Sequence, residues 1–189
     1  MDIKPILPIK LNIDRRGFAK HINTLLTGDL VGVELGVERG KFTKILLEEI
    51  PSLHIYAIDP LVPYKDYREH VTKEQMDEFY KEALEIIGNR GKFVRKFSLD
   101  AVKQFNDLTL DFVYIDANHD FLNTTQDLIL WEKKVKVGGI VAGHDYNNFV
   151  KEFNRCDVKS VLDAYTKAFN ISPWFITNDT SPSWFWIKR

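Results

Sequence analysis

Between residues 30 and 146 this chain alternates short runs of β-branched and aromatic residues with stretches of helical period, and that alternation limits what it can fold into more than any other feature. The runs fall at Leu30–Leu35 and at 53–59, 92–97, 110–116 and 139–144. Alternation of this kind predicts a parallel sheet wrapped by helices, and strands that are apolar almost throughout are those covered on both faces. Between the runs, residues 72–87 place Met76, Phe79, Tyr80, Ala83, Leu84 and Ile87 on one stripe. Thr72 and Gln75 are spaced as a capping box at the start of this helix, and Gly88 ends it. Crossover helices are predicted over 41–50 and 123–134, and Val158, Val161, Leu162, Tyr165 and Phe169 form a further apolar stripe. Residues 174–178 and 183–188 read as strands joined by the turn Asp179-Thr180-Ser181-Pro182, an antiparallel hairpin that closes the sheet.

At 189 residues the chain is expected to be one domain. It divides into an N-terminal helical segment (1–29), a core that holds the cofactor (30–146), and a final helix with its hairpin (147–189). Lysine plus arginine (26) nearly balance aspartate plus glutamate (27), for a net charge of -1. A chain so balanced lacks the broad positive field that draws nucleic acid or anionic membranes, so the expected partner is a small-molecule substrate. One cysteine, Cys156, excludes an internal disulfide and suits a reducing compartment. The first residues carry lysines within their apolar stretch, unlike a signal peptide, and no apolar run approaches the roughly 20 residues of a membrane span. The expected location is therefore the cytoplasm.

The segment Val-Gly-Val-Glu-Leu-Gly-Val-Glu-Arg-Gly-Lys-Phe runs from a strand through a glycine turn into a helix, and sets Glu34, Gly36 and Gly40 where a ligand can approach the backbone. The glycines fall at 32, 36 and 40, so the dinucleotide fingerprint is absent. An acid at Glu34 would repel a pyrophosphate and suits a ligand with ammonium or sulfonium charge, such as adenosylmethionine. Asp59 ends the next strand, where a carboxylate can accept both ribose hydroxyls. Ser98 and Asp100, after the third strand, are placed to reach an adenine amino group or its surroundings.

The fourth strand ends at Asp116 with His119 three residues on, and the fifth ends in His144, Asp145 and Tyr146. Neighbouring strands lie about 4.8 Å apart, so these groups can converge at one sheet edge. Asp116 and Asp145 are candidate ligands of a divalent cation, with His144 or Asn147 completing the set. His119, with an ordinary pKa near 6.5, is the candidate general base for a substrate hydroxyl. Asp120 reads as a helix cap. Pro63, Tyr64, Lys65, Tyr67 and Arg68 are a candidate substrate flap, while His21, His54 and His70 read as surface or packing residues.

These segments, with Tyr-Ala-Ile-Asp-Pro at 56–60, together resemble the class I adenosylmethionine-dependent methyltransferases over about residues 30–146, and within them methyltransferase family 24. That family is similar to the metal-dependent catechol O-methyltransferases and to the macrolide-sugar O-methyltransferases that modify macrocin and mycinamicin. The resemblance implies a Rossmann-like, mostly parallel seven-stranded sheet with an antiparallel C-terminal hairpin and helices on both faces. It also implies adenosylmethionine as cofactor, Mg2+ or Mn2+, and O-methylation of a hydroxylated acceptor such as a sugar or polyphenol. Asp116 would bind metal and lie beside the cofactor, and His119 would be the base. His144-Asp145 departs from the Asp-Asp or Asp-Asn of the family, so that a nitrogen ligand shifts the metal preference towards manganese, iron or zinc, or His144 contacts substrate instead. Two other readings remain open at this point. One is a non-catalytic adenosylmethionine-binding or partner subunit, with a homodimer or partner resting on the aromatic hairpin; the other is a nicotinamide-dependent oxidoreductase, which the missing fingerprint disfavours.

Overall fold

The computed structural model describes residues 6–63, 71–151 and 154–189. Its elements run β1 (Ile9–Lys10), α1 (Arg15–Leu25), β2 (Leu30–Leu35), α2 (Lys41–Glu49), β3 (Leu53–Ile58), α3 (Lys73–Ile87), β4 (Gly91–Val94), α4 (Ser98–Ala101), β5 (Leu110–Ile115), α5 (Phe121–Glu132), β6 (Val135–Gly143), β7 (Phe149–Lys151), β8 (Asn154–Cys156), α6 (Val158–Ala168), β9 (Phe175–Ile176) and β10 (Trp184–Ile187). Eight strands form one sheet in the order β1-β9-β10-β6-β5-β2-β3-β4. The pairs β2·β3, β3·β4, β2·β5 and β5·β6 are parallel, and β10 runs antiparallel to both β6 and β9. The expected seven strands are therefore present, and β1 adds an eighth by pairing parallel to β9.

Period-two alternation sends successive side chains of one strand to opposite faces. On β5, Val113 and Ile115 join the core under α5 and α6 with Leu128, Trp131, Val161 and Leu162. Phe112 and Tyr114 join the opposite core with Phe18 of α1 and Phe42 and Leu46 of α2. Helices thus cover both faces. The aromatics of the C-terminal hairpin belong to this interior: Trp174, Trp184, Phe185 and Trp186 are each at most 1% exposed. Phe175 of the same hairpin is half-buried and packs against the opposite core.

Several boundaries shift for local reasons. α3 begins after Thr72, whose side chain accepts from Gln75 N while Gln75 returns a bond to the Thr72 amide, the capping box expected. Asp120 caps α5 by accepting from the Asn123 amide, which starts that helix two residues early. The strand expected over 92–97 stops at Val94, because Lys96 N turns back to Val94 O and α4 begins at Ser98. The small β7·β8 hairpin was not foreseen. The flap residues Tyr64, Lys65, Tyr67 and Arg68, and His70, lie outside the described residues.

Candidate functional site

β2, β3 and β4 end side by side, and their carboxyl ends open a cleft between the sheet edge and α3 and α5. Gly36 is the pivot of its floor. Its φ of +80° lies in the left-handed region, and a Cβ there would stand 2.0 Å from the Asp116 carbonyl oxygen, so the turn after β2 can pass this close to β5 only as glycine.

Asp59 borders the cleft at the end of β3 and is 7% exposed. Its Oδ2 accepts from Glu38 N and its Oδ1 from Leu61 N, both at 2.9 Å. Two backbone amides thus fix the carboxylate at the cleft border. Ser98 also borders the cleft, and its hydroxyl donates to Asp127 Oδ1 at 2.5 Å. Asp127, on the buried side of α5, did not stand out in the sequence, where it reads as one more polar position of a helix. It is 2% exposed, and burial pushes its carboxyl up to about 7 against the hydrogen bond from Ser98.

Four other residues expected around the cofactor, Glu34, Gly40, Asp100 and Asp116, do not border this cleft. Glu34 is 1% exposed and accepts from Thr43 Oγ1 at 2.5 Å; burial pushes its carboxyl up to about 8, outweighing the Thr43 bond and the charge of Arg15. Gly40, with φ +75°, caps the start of α2 and packs against Ala83 and Ile86 of α3. Asp100 faces solvent and pairs with Lys103 at 2.8 Å, because α4 turns it away from the cleft.

Next to the cleft wall formed by Ala117 and Asn118, the ends of β5 and β6 bring together Asp116, His119, His144 and Asp145. His119 Nε2 lies 3.2 Å from Asp116 Oδ1 and 3.5 Å from Asp145 Oδ2. His144 Nδ1 lies 3.7 Å and 3.4 Å from the same two oxygens. Asp145 sits in the left-handed region at φ +55°, a conformation that aspartate tolerates and that turns its carboxylate back towards the histidines. Burial opposes ionisation of Asp116, but hydrogen bonds from both histidines and the charge of Arg15 outweigh it and hold the carboxyl well below its usual range. Burial likewise opposes charge on His144, and its bonds to Asp116 and Asp145 prevail, raising it to about 9. Ligand atoms of Asp116, His144 and Asp145 lie within 4.8 Å of one another. Asn147 Nδ2 donates to Thr180 O at 3.4 Å. Tyr146 turns away to donate to Asp163 Oδ1.

Arg15 is the participant that sequence reasoning missed. It opens α1, packs its guanidinium 4.0 Å from the centroid of the Phe42 ring, and ion-pairs with Asp116. In the sequence it is only a basic residue after the helix cap Asp14.

Comparison with known proteins agrees with this architecture. The sequence model of the family described as Methyltransferase domain, methyltransferase family 24, matches residues 33–146, more than half of the chain. An uncharacterized protein of Acanthamoeba polyphaga mimivirus is 25% identical over 152 residues, covering 75% of this chain and 66% of that protein. Among solved structures, an O-methyltransferase family protein of Burkholderia thailandensis superposes with a TM-score of 0.63 at 12% identity, over 92% of this chain and 55% of that one. An adenosylmethionine-dependent O-methyltransferase of Thermotoga maritima gives 0.61 at 13% identity, over 94% and 67%. The 1,6-didemethyltoxoflavin-N1-methyltransferase of B. thailandensis, solved with its substrate and S-adenosylhomocysteine, gives 0.57 at 13%, over 92% and 78%. At such identities these structures share the fold alone. The family match and the fold together place the chain in methyltransferase family 24, among the class I adenosylmethionine-dependent methyltransferases.

Proposed function

We propose that the chain transfers the methyl group of adenosylmethionine to a hydroxyl oxygen of a small acceptor such as a sugar, a polyphenol or another natural product, with His119 as base and a divalent cation at Asp116, His144 and Asp145. The observation that carries this reading is the convergence of two histidines and two carboxylates against the wall of a cleft that Asp59 also borders. A span of 4.8 Å among the three candidate ligands is near that of opposed ligands about a cation with bonds of about 2.1–2.3 Å, so the donor set fits a metal. One imidazole among carboxylates favours manganese, iron or zinc over magnesium. When bound, adenosylmethionine supplies an activated methyl group, and the cation would lower the pKa of the acceptor hydroxyl.

The chain's own groups do the rest. Carboxylates only accept hydrogen bonds, so the proton of neutral His119 resides on Nε2, facing Asp116 and Asp145, and Nδ1 is left to take the acceptor's proton. The same two carboxylates then stabilise the imidazolium. Arg15, stacked on Phe42, steadies Asp116 from the opposite side. Asp59, pinned by two amides, would hold the ribose hydroxyls.

Calorimetric titration with adenosylmethionine, with and without Mn2+ or Mg2+, tests the reading. Adenosylmethionine should bind the wild type and lose at least tenfold in affinity in Asp59→Ala. A metal heat should vanish in Asp116→Ala while cofactor binding survives. A folded wild type that binds neither ligand would refute the proposal.

A further inference from the structure

Asp157 turns its carboxylate away from the helix it begins. It stands at the N-cap of α6, where an aspartate ordinarily accepts from the first amides of its own helix, and its side chain makes no such bond. Its Oδ2 accepts instead from the Phe121 amide at 3.1 Å, at the start of α5, and from Nε of Arg155. The Asp157 amide donates to the His119 carbonyl at 2.8 Å. One residue thus grips the loop beyond β5 at two points, 119 and 121, and that loop carries the candidate base.

The preceding residue grips the loop beyond β6. Cys156 is 1% exposed, and a buried thiol ordinarily packs as a small apolar side chain. This one shares its S–H between two carbonyl oxygens, that of Asn147 at 3.2 Å and that of Asp145 at 3.5 Å. Asp145 is the residue held in the left-handed region, and the Asn147 amide donates to the same carbonyl. Pairing of Cys156 with Phe149 in the β7·β8 hairpin seats the thiol against the segment that leaves β6. Two adjacent residues therefore hold two loops whose side chains meet at His119 Nε2 and Asp145 Oδ2, 3.5 Å apart.

We propose that Cys156 and Asp157 are positioning residues that set the His119 loop and the Asp145 loop at a fixed separation and so shape the cation site. The assignment rests on the reading of Asp116, His144 and Asp145 as that site. Groups that orient metal ligands from outside typically cost about 10–100-fold in metal affinity when removed. Cys156 and Asp157 act on the backbone that carries such groups, which points to the lower end of that range.

The test is calorimetric titration of the full chain with MnCl2 and, separately, with S-adenosylhomocysteine. Asp157→Ala and Cys156→Ala should each weaken Mn2+ binding by about tenfold. Both should leave S-adenosylhomocysteine within about twofold of wild type, because Asp59 and its two amide donors lie on other segments. Asp157→Asn keeps an oxygen for the Phe121 amide while losing the charge paired with Arg155, and should hold Mn2+ within about threefold of wild type. Alanine variants that bind Mn2+ as the wild type does, or that lose both ligands by the same factor, would overturn the assignment, as would an Asp157→Asn as weak as Asp157→Ala. Should Asp157→Ala not fold, the other two variants decide: a tenfold loss of Mn2+ affinity in Asp157→Asn, or none in Cys156→Ala, overturns it. A folded wild type that binds S-adenosylhomocysteine and no Mn2+ would overturn the metal reading and this assignment with it.

Discussion

Asp116 is held from three directions, with its Oδ1 facing both histidines and its Oδ2 facing Arg15, so a cationic side chain already occupies the place beside this carboxylate that a metal ion would share. Arg15→Met keeps most of the packing on Phe42 and removes the charge. Because both partners are mostly buried, losing the pair should cost roughly 1–3 kcal/mol, which lowers the melting temperature by several degrees. The same change removes a competitor for Asp116 and should tighten Mn2+ binding by roughly tenfold. A variant that loses stability and metal affinity together would show that Arg15 builds the site. Gly36 makes a steric prediction: Gly36→Ala forces a Cβ into the Asp116 carbonyl from a left-handed backbone, and should cost more than about 2 kcal/mol and abolish cofactor binding. Legibility at this scale followed position. Asp59, Asp116, His119, His144 and Asp145 could be picked out because strand ends place them. Arg15, 101 residues from its partner, and Asp127, inside a helix, become meaningful only when the chain closes.

Elements long enough to show a period were readable, because a stripe or an alternation declares the buried face of α3, α6 or β5 before any contact is known. Elements shorter than one period were not. β1 exists because Ile9 and Lys10 find β9, and α4 because the chain must turn from β4 towards the cleft. Neither has a pattern of its own. The capping box of α3 shows how a local signal reaches the site. Thr72 closes the first turn of the helix that carries Met76 to the cleft wall. Thr72→Ala removes one side-chain acceptor and should cost about 1 kcal/mol, or roughly 2–4 °C in melting temperature. Since residues 64–70 lead into this helix, hydrogen exchange should rise first at its N-terminal turn. Exchange that rises evenly along α3 would mean that the cap supports the whole helix and not its entry.

The fold buries Glu34 and Asp127 and gathers Asp116, His119, His144 and Asp145 at one sheet edge, and this gives stability a definite dependence on pH. Asp127, Glu34 and His144 have folded pKa values raised to about 7, 8 and 9, from ordinary values of 3.8, 4.5 and 6.5. Each binds its proton more tightly when folded, so its contribution is complete below the ordinary value and is lost as pH climbs through the raised one. Asp116 and Asp145 are lowered; their contributions are complete above 3.8 and are lost as pH falls below it. The two sets leave a maximum at about pH 4 and a steady decline towards pH 9 in the protein without metal or cofactor. Scanning calorimetry should therefore find the highest melting temperature on the acidic side of the sequence pI of about 6.5. Glu34→Gln isolates one contribution. It keeps the shape and the bond to Thr43 but cannot ionise, so it should remove roughly 2–5 kcal/mol of the decline between pH 4.5 and 8 and make the variant more stable than wild type at pH 8.5. A wild-type melting temperature that stays level or rises from pH 5 to 8.5, or a Glu34→Gln variant with the wild-type slope, would mean that Glu34 is ionised in its buried site and compensated by Arg15.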